Sequence, residues 1–339
     1  MISPRSDHPR LRWLALMLAT LAVSGAALAQ QARQVGTLDG HDEPVYAVAW
    51  SPDGHTIVTV GFDQTVRVWD AESRKERQSY SGHEGLVLAV AIDPEGHRIL
   101  TGGLDKSAKV WTLSVEKEDA DEESKVSEEP IHNLTGHESQ VYAVAWSPDG
   151  QQGATGAADK TVRQWDAAKG EQVRALENAH ENTVYAVAYS PDGQTMASAG
   201  DDKLVKFWSA VDGQELRQAE GHAGAVYCLA FHPDGKILAS GSIDKTIRLW
   251  SVEEAKEVET LSGHPDDIYD LAFRPDGKRL ASIGYGGHLL IWDVEGSPKS
   301  LLNQRIGQGI QTYGLAWSPD GKRLAVAASD KKVYLFDAP

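Results

Sequence analysis

One ten-residue stretch, VYAVAWSPDG, is written at residues 45–54 and again, letter for letter, at residues 141–150. A near copy, VYAVAYSPDG, occupies residues 184–193. The apolar first half is typical of a strand covered on both faces. Ser-Pro-Asp-Gly is typical of a tight turn, since proline presets φ and glycine accepts a positive φ. A chain that copies a strand together with its turn is expected to fold as an array of such units.

Two further series of residues set the length of the repeating unit. A histidine that follows glycine or alanine recurs at spacings of 42, 54, 43, 42 and 42 residues, at His41, His83, His137, His180, His222 and His264. An aromatic residue closes each of seven units, at Trp69, Trp111, Trp165, Trp208, Trp250, Trp292 and Phe336. About 42 residues accommodate four short strands and their turns. Seven such units account for almost all of residues 30–339, which leaves no room for a second domain.

In this register the sequence resembles the WD-repeat (WD40) family. The resemblance implies an all-β fold, a seven-bladed β-propeller of four-stranded antiparallel blades, as a single domain over residues 30–339. The segment RQVGTLD at 33–39 is similar to the fourth strands of other units, such as VETLSG at 258–263. We therefore expect the N-terminal strand to pair with the last unit. This pairing closes the propeller within one chain and leaves no open sheet edge.

The resemblance also implies a buried hydrogen-bonded chain of Asp, His, Ser or Thr, and Trp in each unit. In the first unit Asp63 accepts from His41, which contacts Thr59. Thr59 in turn accepts from the indole of Trp69. The matching structural sets are His83, Thr101, Asp105 and Trp111; His137, Thr155, Asp159 and Trp165; His180, Ser198, Asp202 and Trp208; and His222, Ser240, Asp244 and Trp250. The sixth unit has Gly286 where aspartate is expected, and the seventh keeps only Asp330.

These sets use the residue types of a hydrolase triad. A catalytic site is not normally copied five times in register with tryptophan, so we interpret them as structural. The other histidines lack metal-ligand spacing, and no Gly-rich phosphate loop precedes a helix. The sequence therefore predicts no enzyme, no cofactor and no metal. The alternative is a hydrolase or lyase at the channel mouth, for which Asp201, Asp267 and Glu43 are the acids expected near the rim.

A tyrosine follows the first residue of the inner strand in six of the seven units, and leucine takes the position in the other. The resemblance places this position at the mouth of the central channel on the top face, which the family often uses to contact partners. The residues are Tyr46, Leu88, Tyr142, Tyr185, Tyr227, Tyr269 and Tyr313. A second family contact position precedes the turn aspartate, and its large apolar members are Phe62, Leu104, Ile243 and Tyr285. We expect a protein or peptide partner, because tyrosine is enriched in interface hot spots. The alternative is a repeated tyrosine that only packs between blades.

The chain is acidic, with a formal net charge of −16. Such a chain has no surplus of Lys or Arg with which to bind nucleic acid or anionic lipid. Much of the acid lies in VEKEDADEESKVSEE at residues 115–129, within an insertion over residues 114–130. We interpret this insertion as a solvated loop. Binding of cations or of a partner by this loop is the alternative.

The N-terminal segment has the pattern of a secretory signal peptide. A basic start precedes an apolar run from Trp13 to Val23, and small residues then occupy Ala27 and Ala29. We expect residues 1–29 to be cleaved and the protein to be periplasmic or extracellular, without membrane insertion after cleavage. An uncleaved anchor is the alternative. Cys228 is the sole cysteine and cannot form a disulfide within the chain. An architectural component of an envelope complex is a further functional alternative.

Overall fold

The computed structural model describes residues 31–113 and 129–339. Within these ranges the backbone consists of strands, turns and loops without a helix, so no described helix is long and apolar enough to cross a membrane. The predicted cleavage segment and most of the acidic insertion lie outside the described residues. The all-β prediction is confirmed for the described part of the chain.

Seven four-stranded antiparallel sheets form the blades, and each blade runs from an inner to an outer strand. Blade one contains β2 (Val45–Trp50), β3 (Thr56–Gly61), β4 (Thr65–Asp70) and β5 (Glu76–Ser81). Blade two contains β6 (Val87–Ile92), β7 (Arg98–Gly103), β8 (Ala108–Thr112) and β9 (His132–Leu134). Blade three contains β10 (Val141–Trp146), β11 (Gln152–Ala157), β12 (Val162–Asp166) and β13 (Gln172–Leu176).

The remaining blades repeat this order. Blade four contains β14 (Val184–Tyr189), β15 (Thr195–Gly200), β16 (Val205–Ser209) and β17 (Glu215–Ala219). Blade five contains β18 (Val226–Phe231), β19 (Ile237–Ser242), β20 (Ile247–Ser251) and β21 (Glu257–Leu261). Blade six contains β22 (Ile268–Phe273), β23 (Arg279–Gly284), β24 (His288–Asp293) and β25 (Lys299–Arg305). Blade seven contains β26 (Thr312–Trp317), β27 (Arg323–Ala328), β28 (Lys332–Asp337) and β1 (Arg33–Asp39).

The N-terminal strand closes the ring, as predicted. β1 pairs antiparallel with β28, with Leu38 opposite Val333, and forms the outer strand of blade seven. The seven inner strands pack in chain order, and β26 packs back against β2. The first and last strands, β1 and β28, therefore lie in one sheet, and blade seven has four strands like the other blades.

The hydrophobic core is divided into seven clusters, each between two adjacent blades. Between blades one and two, for example, Val66 and Val68 pack with Ile99 and Trp111. Each blade is thus covered on both faces, which explains why its second strand is buried at nearly every position. The inner ends of the blades are left to line the central channel.

Every inner strand has a β-bulge at its second residue, and this bulge determines which side chain is directed toward the channel mouth. In blade one the register shifts between Val45 and Ala47, so Tyr46 is the extra residue. The same shift occurs in the other six blades. A bulge bends the strand locally and redirects the extra side chain. It occurs at each position where the sequence has the recurring tyrosine or leucine.

Candidate binding site at the channel mouth

The five complete Asp–His–Ser/Thr–Trp sets form continuous hydrogen-bonded chains. In blade one, Nδ1 of His41 lies 2.8 Å from the Asp63 carboxylate and Nε2 lies 2.7 Å from Oγ1 of Thr59. The Trp69 indole donates to the same hydroxyl at 2.7 Å. The sets in blades two to five repeat this geometry, with every distance between 2.6 and 2.9 Å.

The electrostatics of these chains fix the histidine tautomer. Burial raises the pKa of Asp63, but hydrogen bonds from His41, Thr65 and the Asp42 amide outweigh it and hold the pKa well below its usual range. An ionised carboxylate only accepts, so Nδ1 of His41 carries the proton that is donated to it. The Thr59 side chain is fully buried. This arrangement stabilises the top loops of the blade, and the Thr59 hydroxyl is not accessible to solvent.

Blade six replaces the missing turn aspartate with a carboxylate from a neighbouring loop. Oδ2 of Asp266 accepts from Nδ1 of His288 at 2.8 Å, and Asp266 fills the space in which a side chain on Gly286 would lie. His264 is bonded at Nδ1 only to the backbone of Asp266, and its Nε2 is buried without a partner. Burial lowers the pKa of His264 to about 4. The bond from Trp292 to Ser282, at 2.9 Å, is kept.

Blade seven retains a fragment of the network. The Tyr334 hydroxyl donates to Oδ2 of Asp330 at 2.7 Å, while Oδ1 of Asp330 is buried without a partner. Gln308, Val326 and Phe336 occupy the positions of histidine, hydroxyl and indole in the other blades. The aspartate of this blade therefore has a different donor from the aspartates of blades one to five.

The six recurring tyrosines meet at the mouth of the channel, on the end of the propeller that carries the histidine loops. We call Tyr46, Tyr142, Tyr185, Tyr227, Tyr269 and Tyr313 the tyrosine collar. Neighbouring rings lie with centroids 4.5–6.2 Å apart in an unbroken sequence from Tyr142 through blades four to seven to Tyr46. Such separations are those of favourable aromatic pairs. The collar is an arc that is open at blade two.

Leu88 stands in the gap of the arc. It lines the channel but is only 7% exposed, so it offers little surface to a partner. Two residues of the second contact position extend the collar outward. Phe62 stacks on Tyr46 at 5.8 Å, and Tyr285 packs against Tyr269 at 5.3 Å. Tyr285 is 42% exposed.

Leu104 and Ile243 are not brought into the collar. Each lies beside a glycine of its own blade, with Leu104 next to Gly85 and Ile243 next to Gly224. Neither lines the channel cavity. Ile243 is exposed, whereas Leu104 is half-buried. The predicted contact residues thus divide into a connected aromatic group, Leu88 in the gap of the arc, and two separate aliphatic residues at the periphery.

A cavity of about 260 Å³ lies directly beneath the collar and is lined by all seven inner strands. We call this cavity the chamber. The residue after each bulge forms its wall, and these residues are Ala47, Ala89, Ala143, Ala186, Cys228, Asp270 and Gly314. The next residues, all Val or Leu, lie deeper along the channel. Small side chains therefore leave a chamber whose wall carries a single carboxyl group among the described lining residues.

Asp270 is a site residue that the sequence reasoning missed. Its Oδ1 accepts the Leu271 amide at 2.8 Å, and its Oδ2 accepts the Leu315 amide of blade seven at 2.7 Å. Burial raises the pKa of Asp270 to about 7, against the opposing effect of these two amides. The signal was present in IYDLAF, which has aspartate where the equivalent strand VYAVAW has alanine.

Two of the three acids expected near the rim interact with the collar. Burial raises the pKa of Tyr185, and the charge of Asp201 adds to the effect. The pKa of Tyr269 is likewise raised by burial, with further contributions from Tyr285 and Asp267. Glu43 is exposed in a top loop. Within residues 31–113 and 129–339, no group of three His, Cys, Asp or Glu side chains is placed to hold a metal ion.

Comparison with known proteins gives the family. The WD domain, G-beta repeat, matches residues 32–70, 74–112 and 128–166. The IFT122 first beta-propeller matches residues 157–338, which is more than half of the chain.

Matches to individual proteins are shorter. Protein Mut11 of Chlamydomonas reinhardtii is 55% identical over 42 residues, which are 12% of this chain and 11% of that protein. A chromatin assembly factor 1 subunit of Gallus gallus is 28% identical over 142 residues, 42% of this chain and 19% of that protein. An uncharacterized WD repeat-containing protein, sll1491, of Synechocystis is 54% identical over 41 residues, 12% of each chain. This chain spans less than a fifth of the length of each of these relatives. The repeats, the seven complete blades and the family matches show that the chain belongs to the WD-repeat family of seven-bladed β-propellers.

Proposed function

We propose that this propeller is a non-catalytic scaffold that captures a protein or peptide on its top face, with the tyrosine collar as the anchor. The observation that carries the proposal is the collar itself, in which six half-buried tyrosines from six blades meet around one open cavity. Tyrosine provides a large, rigid contact surface with a polar tip at low entropic cost. The rings already support one another, so binding requires little rearrangement.

The relatives are consistent with a role in assemblies. One of them is named as a component of a chromatin assembly factor. We carry over from this only the general use of the fold as a protein-binding module. We further propose that residues 1–29 direct the protein out of the cytoplasm, so that its partner is periplasmic or extracellular.

An enzyme in the channel is the competing function, and Asp270 is the residue that favours it. A carboxyl group with a pKa near 7 suits general acid–base catalysis. The neighbouring thiol of Cys228 is buried and its pKa is raised well above the usual value, which makes it a poor nucleophile. Asp270 is also engaged by two backbone amides. A carboxylate that is held in place by two amides, beside a thiol that is a poor nucleophile, fits a binding site better than a catalytic site.

Affinity capture from the extracytoplasmic fraction tests the proposal. Wild type is compared with a variant in which Tyr46, Tyr142, Tyr185 and Tyr227 are changed to alanine, and captured proteins are identified by mass spectrometry. The matched control changes three exposed aliphatic residues of outer strands, Val173, Leu216 and Val258, to alanine. We expect a partner that wild type and control retain and the collar variant loses. Equal capture by all three folded proteins contradicts the proposal.

A further inference from the structure

The charge on the chamber wall indicates what kind of group enters the collar. Among the described lining residues there is no Lys, Arg or His, and Asp270 is the one carboxylate. No ion pair joins Asp270 to a described basic side chain, although other acids of the blades, such as Asp63 and Asp93, have Arg or His partners. Asp270 is half-buried, and a carboxylate that is withdrawn from water is ordinarily paired. The chamber therefore contains a site for one positive charge that the described chain does not fill.

The hydrogen bonds of Asp270 leave capacity for such a partner. Each carboxylate oxygen accepts one backbone amide, from Leu271 or Leu315, and each oxygen has a second lone pair. The two amides hold the carboxylate in one orientation between blades six and seven. A cationic group in the chamber meets a preoriented acceptor, which reduces the ordering cost of binding.

The collar above the chamber suits a cation for a second, independent reason. The face of an aromatic ring carries partial negative charge and attracts ammonium and guanidinium groups within about 6 Å of its centroid. Tyr185 and Tyr227 pack at 4.5 Å, and Tyr227 stacks on Tyr269 at 5.0 Å, so these rings partly cover one another's faces. The phenolic oxygens of the collar are further acceptors for a cationic donor. Asp201 and Asp267 add negative charge beside these rings.

Basic residues of the top face are not among the residues that line the chamber, and two of them bond to backbone carbonyls. The Lys245 ammonium donates to the Pro265 carbonyl at 3.1 Å, and Lys331 donates to the Asp42 carbonyl at 2.5 Å. Acids such as Glu84 and Glu138 lie in the adjoining loops. The outer part of the face is thus mixed in sign, while the inner part is acidic.

We propose that the chamber is a receptor for an organic cation, the guanidinium or ammonium group of a basic side chain, which enters through the tyrosine collar and pairs with Asp270. This inference rests on the proposed function, because it assigns the chemistry of the anchor that a captured protein inserts. The scaffold then selects partners that present a protruding arginine or lysine.

Calorimetric titration of the purified protein at pH 8 and low salt tests the inference. The probes are the peptide acetyl-Gly-Gly-Arg-Gly-Gly-amide, its lysine and citrulline counterparts, and agmatine as a free guanidinium compound. Citrulline keeps the shape of arginine and removes its charge. We expect wild type to bind the arginine or lysine peptide about tenfold more tightly than the citrulline peptide, from the combined ion pair and cation–π contacts.

Two variants assign the effect to the chamber. D270N is expected to lower the preference for charge from about tenfold to about two- to threefold, since it removes the ion pair, nearly keeps the shape and leaves the collar intact. The matched control E259Q removes one carboxylate from outer strand β21 and is expected to leave the preference unchanged. If D270N fails to fold, the double variant Tyr185→Leu and Tyr227→Leu takes its place in the assay. It keeps apolar bulk, removes two ring faces and is expected to lower affinity for the cationic probes alone.

The outcomes separate this inference from the proposed function. Equal binding of cationic and citrulline peptides overturns the proposal of a cation receptor. The scaffold role is tested separately, by the partner-capture experiment. Binding of agmatine that depends on Asp270, without binding of either basic peptide, supports the receptor chemistry and contradicts insertion of a partner side chain. Failure of all cationic probes to bind overturns the inference.

Discussion

The Asp270 carboxylate of blade six accepts the Leu315 amide of blade seven at 2.7 Å, directly beneath the tyrosine collar. This bond joins two neighbouring inner strands, β22 and β26, which are also joined by the Trp317 indole donating to the Ala272 carbonyl at 3.0 Å. The same carboxylate lines the chamber. Asp270 consequently links the stability of the ring near its closure to the charge of the proposed binding site.

The stability of the protein is expected to depend on the protonation of Asp270. Burial raises its pKa from 3.8 to about 7, so the folded state holds this proton more tightly than the unfolded state. The resulting stabilisation is fully present below about pH 4 and is lost as the pH rises through about 7. Nearby Cys228, Tyr269 and Tyr313 have raised pKa values and titrate above this window.

Asn at position 270 cannot ionise, so the comparison with D270N isolates this contribution. The melting temperature of D270N relative to wild type is expected to rise by at least about 3 °C between pH 5 and pH 8. Thermal unfolding of both proteins at both pH values, in buffers of equal ionic strength, measures this difference in melting temperature. His264 acts with the opposite sign between about pH 4 and 6.5, but it is the same in both proteins and cancels. A difference that does not change with pH contradicts the assignment.

Equivalent histidines in blades five and six are expected to contribute unequally. His222→Phe removes one hydrogen-bond partner from Asp244 and one from Ser240, and the loss of these two buried bonds is expected to cost about 2–3 kcal/mol. His264→Phe removes a ring whose Nε2 already lacks a partner, so we expect a cost of about 1 kcal/mol or less. Urea unfolding of the two variants measures the difference. Equal losses of stability contradict the account of blade six.

Restoring the common aspartate in blade six is expected to destabilise the protein. A Cβ on Gly286 would clash with the Asp266 carboxylate, so Gly286→Asp brings two acidic groups into one space at a cost of about 1–3 kcal/mol. The double variant with Asp266→Ala frees that space and is expected to recover most of the loss. Chemical denaturation of the single and double variants decides the point. A single variant as stable as wild type shows that the loop moves aside without cost.

The fold was predictable from the sequence because its signals are local and repeated. The spacing of the histidines gave the length of the repeating unit, the seven closing aromatic residues gave the number of blades, and the similarity of residues 33–39 to other outer strands gave the closure by β1. The position of the tyrosines in the repeat was also predictable. The contacts between their rings were not predictable, because they depend on the bulge that turns each ring toward its neighbour.

The features that the sequence reasoning missed arise from long-range packing. Gly286 indicated a broken network, but the compensation by Asp266 depends on how the loop after His264 folds back toward His288. Asp270 could not be assigned to the site from the sequence, because an aspartate within an inner strand does not show whether its side chain faces the channel. The depth of a side chain in the channel follows from the register after the bulge, which one sequence does not display.

Site-specific photocrosslinking tests the central claim, that the collar is the partner-binding surface, most directly. A benzophenone amino acid replaces Tyr185, in the collar of blade four, or Leu216, on the outer strand of the same blade, in separate variants with matched stability. After irradiation in the extracytoplasmic extract, the account predicts a defined crosslinked protein from position 185 and none from position 216. Crosslinks from position 216 alone, or from neither position, would contradict it.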